Sequence, residues 1–153
     1  LICEVLSNPK EIKSLVLKVS QLAFEDGVNA DNWTPKAFGN NCWLAIKEEG
    51  EIFGLAAFRA IQAHTVEIHM YAMPNKCNKW KSIVKSVLEW LYSKENINKV
   101  IALVGVNHKT TYKLLKKIGF TQEGLIKESY LKDGKFHDQY VMGLTRKDIG
   151  RLI

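Results

Sequence analysis

A chain of 153 residues, 46% hydrophobic and 25% charged, fits one globular domain spanning 1–153 and at that length buries about two thirds of its unfolded surface without a metal or disulfide staple. Its three cysteines (Cys3, Cys42, Cys77) are widely spaced and its four histidines scattered. No spacing fits a metal set, and no apolar run approaches the ~18 residues of a membrane span, which excludes a disulfide scaffold and a membrane-spanning helix and leaves no metal expected. The formal charge of +6 is concentrated: residues 74–127 carry 11 basic and 3 acidic side chains, residues 1–73 carry 6 and 9. A polyanionic ligand such as a nucleotide, coenzyme A or nucleic acid is expected near the middle segment, the alternative being a solvated lysine-rich face. The odd number and wide spacing of the cysteines make a reducing, cytoplasmic setting the expectation.

Residues 1–6 alternate weakly, as an edge strand does. Asn8-Pro9-Lys10-Glu11 reads as a helix start, with Asn8 the cap, Pro9 the first helical residue and Glu11 three after the cap. Ile12, Leu15, Val16, Val19 and Leu22 follow at helical spacing. Phe24 to Trp33 is looser, and a short helix is expected after Thr34-Pro35. Cys42–Lys47, Ile52–Ile61 and His64–Met73 read as three strands, the first two joined by a turn at Glu48–Glu51 and the last ended by Pro74. Their short connections favour an antiparallel meander.

Beyond a polar loop, Ile83, Val84, Val87, Leu88 and Leu91 mark a helix with Trp90 beside the stripe. Val100–Val106 is a short apolar strand of the kind buried at a sheet centre. Thr110–Ile118 is helical and Gly119 ends it. Residues 120–131 and 136–145 read as strands joined by Lys132-Asp133-Gly134-Lys135, a hairpin signal. Asp148–Ile153 is a short helix or tail. The expected class is α/β: a mixed, mostly antiparallel sheet with helices on both faces.

This order, the stretch His108-Lys-Thr-Thr-Tyr-Lys-Leu-Leu-Lys-Lys-Ile-Gly-Phe120 with Thr-Gln-Glu-Gly124 after it, and the closing Gly134-Lys-Phe-His-Asp138 and Tyr140-Val-Met-Gly-Leu-Thr-Arg146 together resemble the GCN5-related N-acetyltransferase (GNAT) superfamily from end to end. The nearest branch is the ribosomal-protein N-acetyltransferase-like one. The resemblance implies acetyl-CoA as cofactor and transfer of an acetyl group to a primary amine of a protein or small molecule; a homodimer is possible in such a family, and nucleic acid is not an expected partner. Counted back from Gly119, the family asparagine falls on His108, the family serine on Thr111, and the tyrosine that protonates the departing thiolate on Leu115. Tyr112, three residues earlier, is the acid by residue type.

The family cofactor loop, Arg/Gln-x-x-Gly-x-Gly/Ala, maps onto Pro74 to Ser82, with Cys77, Trp80 and Ser82 at the marked places. In the family, the glycines let backbone amides and a helix amino terminus approach a pyrophosphate. Here Ser82 is small, Trp80 is not, and Lys76, Lys79 and Lys81 offer side-chain contacts to phosphate instead. The resemblance implies an oxyanion donor from the backbone of Met70, Tyr71 and Ala72, on a strand that in the family splays from its neighbour, here 100–106, to admit the pantetheine arm.

Glu67 and His69 share one face of that strand if alternation holds, and either is a candidate base, directly or through water. The plain alternative is a polar pair on a half-exposed strand. His108 is expected to cap the helix after it or to touch the cofactor. His64 reads as a turn residue, and His137 and Asp138 as a turn-stabilising pair or a border of the acceptor pocket. Trp43 reads as core, Trp33 and Phe38 as acceptor-side residues. No His/Asp pattern accompanies Cys42 or Cys77, which argues against a covalent cysteine mechanism. Trp80 and Leu115 keep a second reading open: a catalytically inactive GNAT-fold binding or structural protein, of a virus or mobile element for example.

Overall fold

The computed structural model describes residues 1–23 and 42–149. Strand β1 (Ile2–Leu6) leads into helix α1 (Pro9–Ala23), which Asn8 starts as expected. Its Oδ1 accepts from the backbone N–H of Lys10 at 2.9 Å and of Glu11 at 3.4 Å, pairing two donors that a helix start otherwise leaves unmet. Ile12, Leu15, Val16 and Val19 are buried along one stripe. The expected loose stretch Phe24–Trp33 and the helix after Thr34-Pro35, with Trp33 and Phe38, lie outside the described residues.

Strands β2 (Cys42–Glu48), β3 (Glu51–Gln62) and β4 (Thr65–Ala72) form the antiparallel meander. A 3-10 turn (Cys77–Lys79) precedes helix α2 (Trp80–Tyr92), followed by strand β5 (Lys99–Gly105) and helix α3 (Lys109–Ile118). Strands β6 (Thr121–Lys132) and β7 (Lys135–Thr145) form the closing hairpin over Asp133-Gly134. The last short helix, α4 (Arg146–Ile149), starts two residues before the expected Asp148, because the Thr145 hydroxyl accepts the Asp148 N–H at 3.4 Å and donates back to its carboxylate at 3.0 Å.

The seven strands make one sheet in the order β1-β2-β3-β4-β5-β7-β6, antiparallel except for the parallel β4–β5 pair. One face packs on α1 through Trp43, Ala45, Leu55 and Ala57. The other packs on α2 and α3 through Val66, Ile68, Val100, Ala102, Val104, Met142 and Leu144. Ile83, Val84, Val87, Leu88 and Leu91 of α2 are all buried there; each contributes about 1.5–3 kcal/mol. Arg146 ties the far end of α2 by donating to the carbonyls of Tyr92, Lys94 and Ile97, at and beyond a helix carboxyl end, where acceptors lack intrahelical partners and a cation is favoured.

One glycine fixes how closely α2 seats. A Cβ at Gly54 of β3 would lie 2.8 Å from the Tyr71 carbonyl oxygen and 2.9 Å from Ile83 Cγ2. Only hydrogen fits there, so the first turn of α2 rests on the β3–β4 backbone, and its amino end is held at the carboxyl end of β4.

Candidate active site

The parallel pairing of β4 and β5 covers three positions: Thr65↔Lys99, Val66↔Val100 and Glu67↔Ile101. Both strands continue, β4 to Ala72 and β5 to Gly105, so a gap opens at their carboxyl ends, where open α/β sheets receive ligands. The backbone direction in the gap follows from two bonds. Met73 N–H donates to Phe53 O on the β3 side, and His64 O accepts from Asn98 and Lys99 on the β5 side. With strand alternation, the amides of Met70 and Ala72 face the gap and that of Tyr71 faces β3. This corrects one expectation: Tyr71 offers the gap no amide. Its side chain packs instead on the α1 face, and burial pushes its phenol up to about 12.

Glu67 and His69 do share a face, the α1 face, opposite the one where Val66, Ile68, Met70 and Ala72 meet α2 and α3. His69 Nε2 lies 2.8 Å from Glu67 Oε1, and Arg59 Nη2 donates to Glu67 Oε2 at 3.0 Å. The Glu67 carboxylate is buried, while a third of the His69 side chain is exposed. Glu67 sits at the last paired position of β4 and His69 two residues into the splayed part. His64 lies apart, its ring against the Asn96 carbonyl at 2.7 Å.

The loop after β4 is closed largely by its own backbone. The amides of Lys76, Lys79 and Trp80 close internal turns onto Met73, Lys76 and Cys77 carbonyls. Trp80 is the first residue of α2, and its half-buried ring packs inward against the α2–α3 core. Lys76, expected as a side-chain contact to phosphate, has its Nζ 3.0 Å from Glu51 and 4.3 Å over the Phe53 ring. Lys79 and Lys81 are exposed and without an ion-pair partner among the described residues. Lys79 makes no side-chain cap, and no acidic side chain occupies the first turn, so the helix amino end presents amides at Lys81 and exposed Ser82 beside the gap mouth. Those amides, the gap-facing amides of Met70 and Ala72, and the inward Trp80 fit a thin thioester arm carrying a diphosphate.

At the α3 end the expectations divide. His108 is the capping position but makes no side-chain cap bond. Its ring lies 6.3 Å from Tyr130, and desolvation, with the charges of His137 and Lys132 behind it, holds its imidazole below the usual range. Thr111 is half-buried in the first turn of α3. The Tyr112 hydroxyl donates to Gln122 Oε1 at 2.9 Å and its ring lies 4.7 Å from Tyr140. Both partners belong to β6 and β7, on the far side of β5 from the gap, so Tyr112 is turned away from where a thiolate would depart. Leu115 is fully buried in the core.

Sequence reading missed the cluster on the opposite bank. The Tyr130 hydroxyl donates to Asn107 Oδ1 and stands where a Gly105 side chain would be, on the α1 face at the end of β5. His137, its cross-strand partner, lies 5.3 Å away ring to ring. A register shift between Ile126 and Tyr130 carries it there; Glu128 sits at φ +47 with its N–H held by Asp138 Oδ1 at 2.7 Å. Asp138 thus stabilises a bulge rather than the hairpin turn. The signal available in the sequence was the hairpin register, which sets Tyr130 opposite His137.

Comparison with known proteins fits this geometry. A family described as "Protein of unknown function (DUF2824)" matches residues 23–152. YnaD of Bacillus subtilis (strain 168), named an uncharacterized N-acetyltransferase, is 24% identical over 108 residues, covering 69% of this chain and 64% of its own length; the chain spans just under two thirds of that relative. Three solved structures share the fold. A chimera of spermidine N-acetyltransferase SpeG from Vibrio cholerae with hSSAT has a TM-score of 0.79 at 17% identity, over 97% of this chain and 99% of that one. The Vibrio cholerae spermidine N-acetyltransferase in complex with CoA and spermine has 0.76 at 14%, over 96% of each. The ribosomal-protein-alanine N-acetyltransferase of Brucella melitensis has 0.72 at 16%, over 95% and 99%. At these identities the likeness establishes a fold.

Proposed function

This chain belongs to the DUF2824 family and has the fold of the GCN5-related N-acetyltransferases, and we propose that it is an acetyl-CoA-dependent N-acetyltransferase acting on a primary amine of a small molecule or protein. The observation that carries the reading is the β4–β5 gap with the Met70 and Ala72 amides on its edge and the Glu67–His69 pair beside it. The relatives are named as N-acetyltransferases, which supports the class of reaction and leaves the acceptor open.

Acetyl-CoA supplies an activated acyl group whose carbon is attacked by the amine as the carbon–sulfur bond breaks. The Met70 and Ala72 amides are placed to stabilise negative charge developing on the acyl oxygen. The Lys81 and Ser82 amides and the Lys79 and Lys81 side chains hold phosphate at the start of α2, and His108 and Thr111 border the arm from α3. His69, the exposed member of its pair, takes the proton of the amine, and Glu67 orients the imidazole and stabilises its charge. Arg59 holds Glu67 in place from β3. Tyr130, with Asn107 and His137, forms the far bank of the acceptor cleft. Tyr112 has no role in this account, since its hydroxyl is directed to Gln122.

Calorimetric titration with acetyl-CoA, followed by thiol-release assays against spermidine, a lysine peptide and an alanine-initiated peptide, tests the proposal. Micromolar binding with amine-dependent thiol release supports it. The absence of binding at millimolar ligand would return the inactive, structural reading, which the buried Leu115 at the family's tyrosine position favours.

A further inference from the structure

Helix α3 carries four lysines and no acidic residue. At about 100° per residue, Lys109, Lys113, Lys116 and Lys117 fall within about a third of its circumference, opposite buried Leu115 and Ile118, and all four are exposed. Exposed Lys85 of α2 meets Lys117 across the groove between the two helices. Glu89 is the one acid on either helix. Lys47, Lys76 and Lys99 each pair with a glutamate, whereas none of these five lysines has an ion-pair partner among the described residues. Lys116 alone lies over a ring, 5.8 Å from that of Tyr112.

Helix stability accounts for part of this arrangement only. Lys116 and Lys117 lie in the last turn of α3, where a cation is favoured by the helix dipole. Lys109 stands in the first turn, at the positive end, with no acid beside it. Lys109 and Lys113, and then Lys113 and Lys117, are spaced i,i+4, where like charges repel along one face. The sequence therefore sets cations against the dipole and against each other. A polyanion laid along the face relieves both. The side chains around it select the kind of polyanion. None of the exposed large hydrophobics among the described residues lies on α2 or α3, so the face lacks the apolar centre of a protein interface, where lysine is also depleted. Residues 74–127 contain no arginine, whose planar fork suits bidentate recognition of base edges. Trp80, Trp90 and Tyr112 pack against the core rather than standing open to stack on bases. Contact with a phosphate backbone is what such a face can make.

We propose that the lysine face of α3, extended by Lys85, docks the chain on the phosphate backbone of double-stranded nucleic acid, independently of sequence. The inference does not rest on the acetyltransferase reading. The face lies on the α2–α3 side of the sheet, and Glu67 and His69 lie on the α1 side, so a bound duplex leaves the acceptor cleft open. Exposed Thr110, between Lys109 and Lys113 on the same arc, offers a hydroxyl donor to phosphate as well.

The test is fluorescence anisotropy of a labelled DNA duplex of about 20 base pairs, and of the same sequence as duplex RNA, titrated with the full chain between about 50 and 200 mM salt. About four phosphate contacts give an expected slope of log K against log salt near −3.6 on DNA. In Lys109→Ala/Lys113→Ala/Lys117→Ala that slope is expected to shrink by about 2.7, roughly one per lysine. The melting temperature of this variant is expected to be no lower than the wild type's, because repulsion along α3 is removed. A charge-matched variant at exposed residues elsewhere, Lys10→Ala/Lys18→Ala/Lys135→Ala, is expected to keep the slope. Loss confined to the α3 variant supports the surface, and the tighter of the two duplexes names its source. The proposal is overturned by an absence of saturable binding at the lower salt, by equal loss in both triple variants, or by tighter binding of a poly-glutamate peptide of matched charge, which would assign the face to an acidic protein. The acetyltransferase reading stands or falls separately, on the titration with acetyl-CoA.

Discussion

His69 Nε2 lies 2.8 Å from Glu67 Oε1, and the other oxygen of that carboxylate receives Arg59 at 3.0 Å. A carboxylate held at both oxygens, buried behind a partly exposed imidazole, is arranged to orient a base. The double variant Glu67→Gln, His69→Ala is expected to lose about 10²–10⁴-fold in kcat/KM while binding coenzyme A with unchanged affinity. Full activity in that variant would remove the pair from the mechanism.

Trp80 sits where the resemblance to the GCN5-related N-acetyltransferases sets a glycine, and its side chain packs against the α2–α3 core. Trp80→Gly is therefore expected to destabilise the fold by about 2 kcal/mol through lost apolar burial and helix propensity and to leave coenzyme A binding unchanged or weaker. Chemical denaturation and calorimetry read the two effects separately. Tighter binding in the glycine variant would mean that the ring obstructs the site.

The two outcomes for lysines and tyrosines mark where sequence reading works. The apolar stripes of α1 and α2, the Asn8 cap, the Asp133-Gly134 hairpin and the shared face of Glu67 and His69 are local periodicities, and each is found where periodicity puts it. Lys76 looks like a phosphate ligand until the fold brings Glu51 and Phe53 to it from β3. Tyr112 looks like an acid until Gln122 of β6 takes its hydroxyl. The hairpin register sets Tyr130 opposite His137, but its target, Gly105, has no side chain to notice and is brought to it from β5. In each case a contact distant in sequence decides the role.

His108 offers a pH readout. Desolvation and the neighbouring His137 and Lys132 charges hold its pKa below the usual value, whereas in the unfolded chain it titrates near ~6.5. Between the folded value and ~6.5 the unfolded chain binds more protons, so stability rises with pH across that window. The contribution is complete above ~6.5 and is lost as pH falls toward the folded value. Melting curves from pH 7.5 to 5 are expected to fall more steeply for the wild type than for His108→Asn. Identical pH profiles would place His108 in ordinary solvent.

Gly105 and Tyr130 make a coupled pair. An added Cβ at Gly105 would overlap the Tyr130 hydroxyl and lie 2.7 Å from Asn107 Oδ1, so Gly105→Ala is expected to cost about 1–3 kcal/mol as overpacking. Tyr130→Phe removes the atom that is struck most closely and forfeits only a hydrogen bond, about 0.5–1.5 kcal/mol. In the Tyr130→Phe background, Gly105→Ala is then expected to cost clearly less than it does alone, a favourable coupling readable in a denaturation cycle. Strict additivity would show that the ring swings clear at no cost. The bank opposite His69 would then be too loose to define the acceptor cleft, and acceptor KM would be expected to ignore Tyr130→Ala as well.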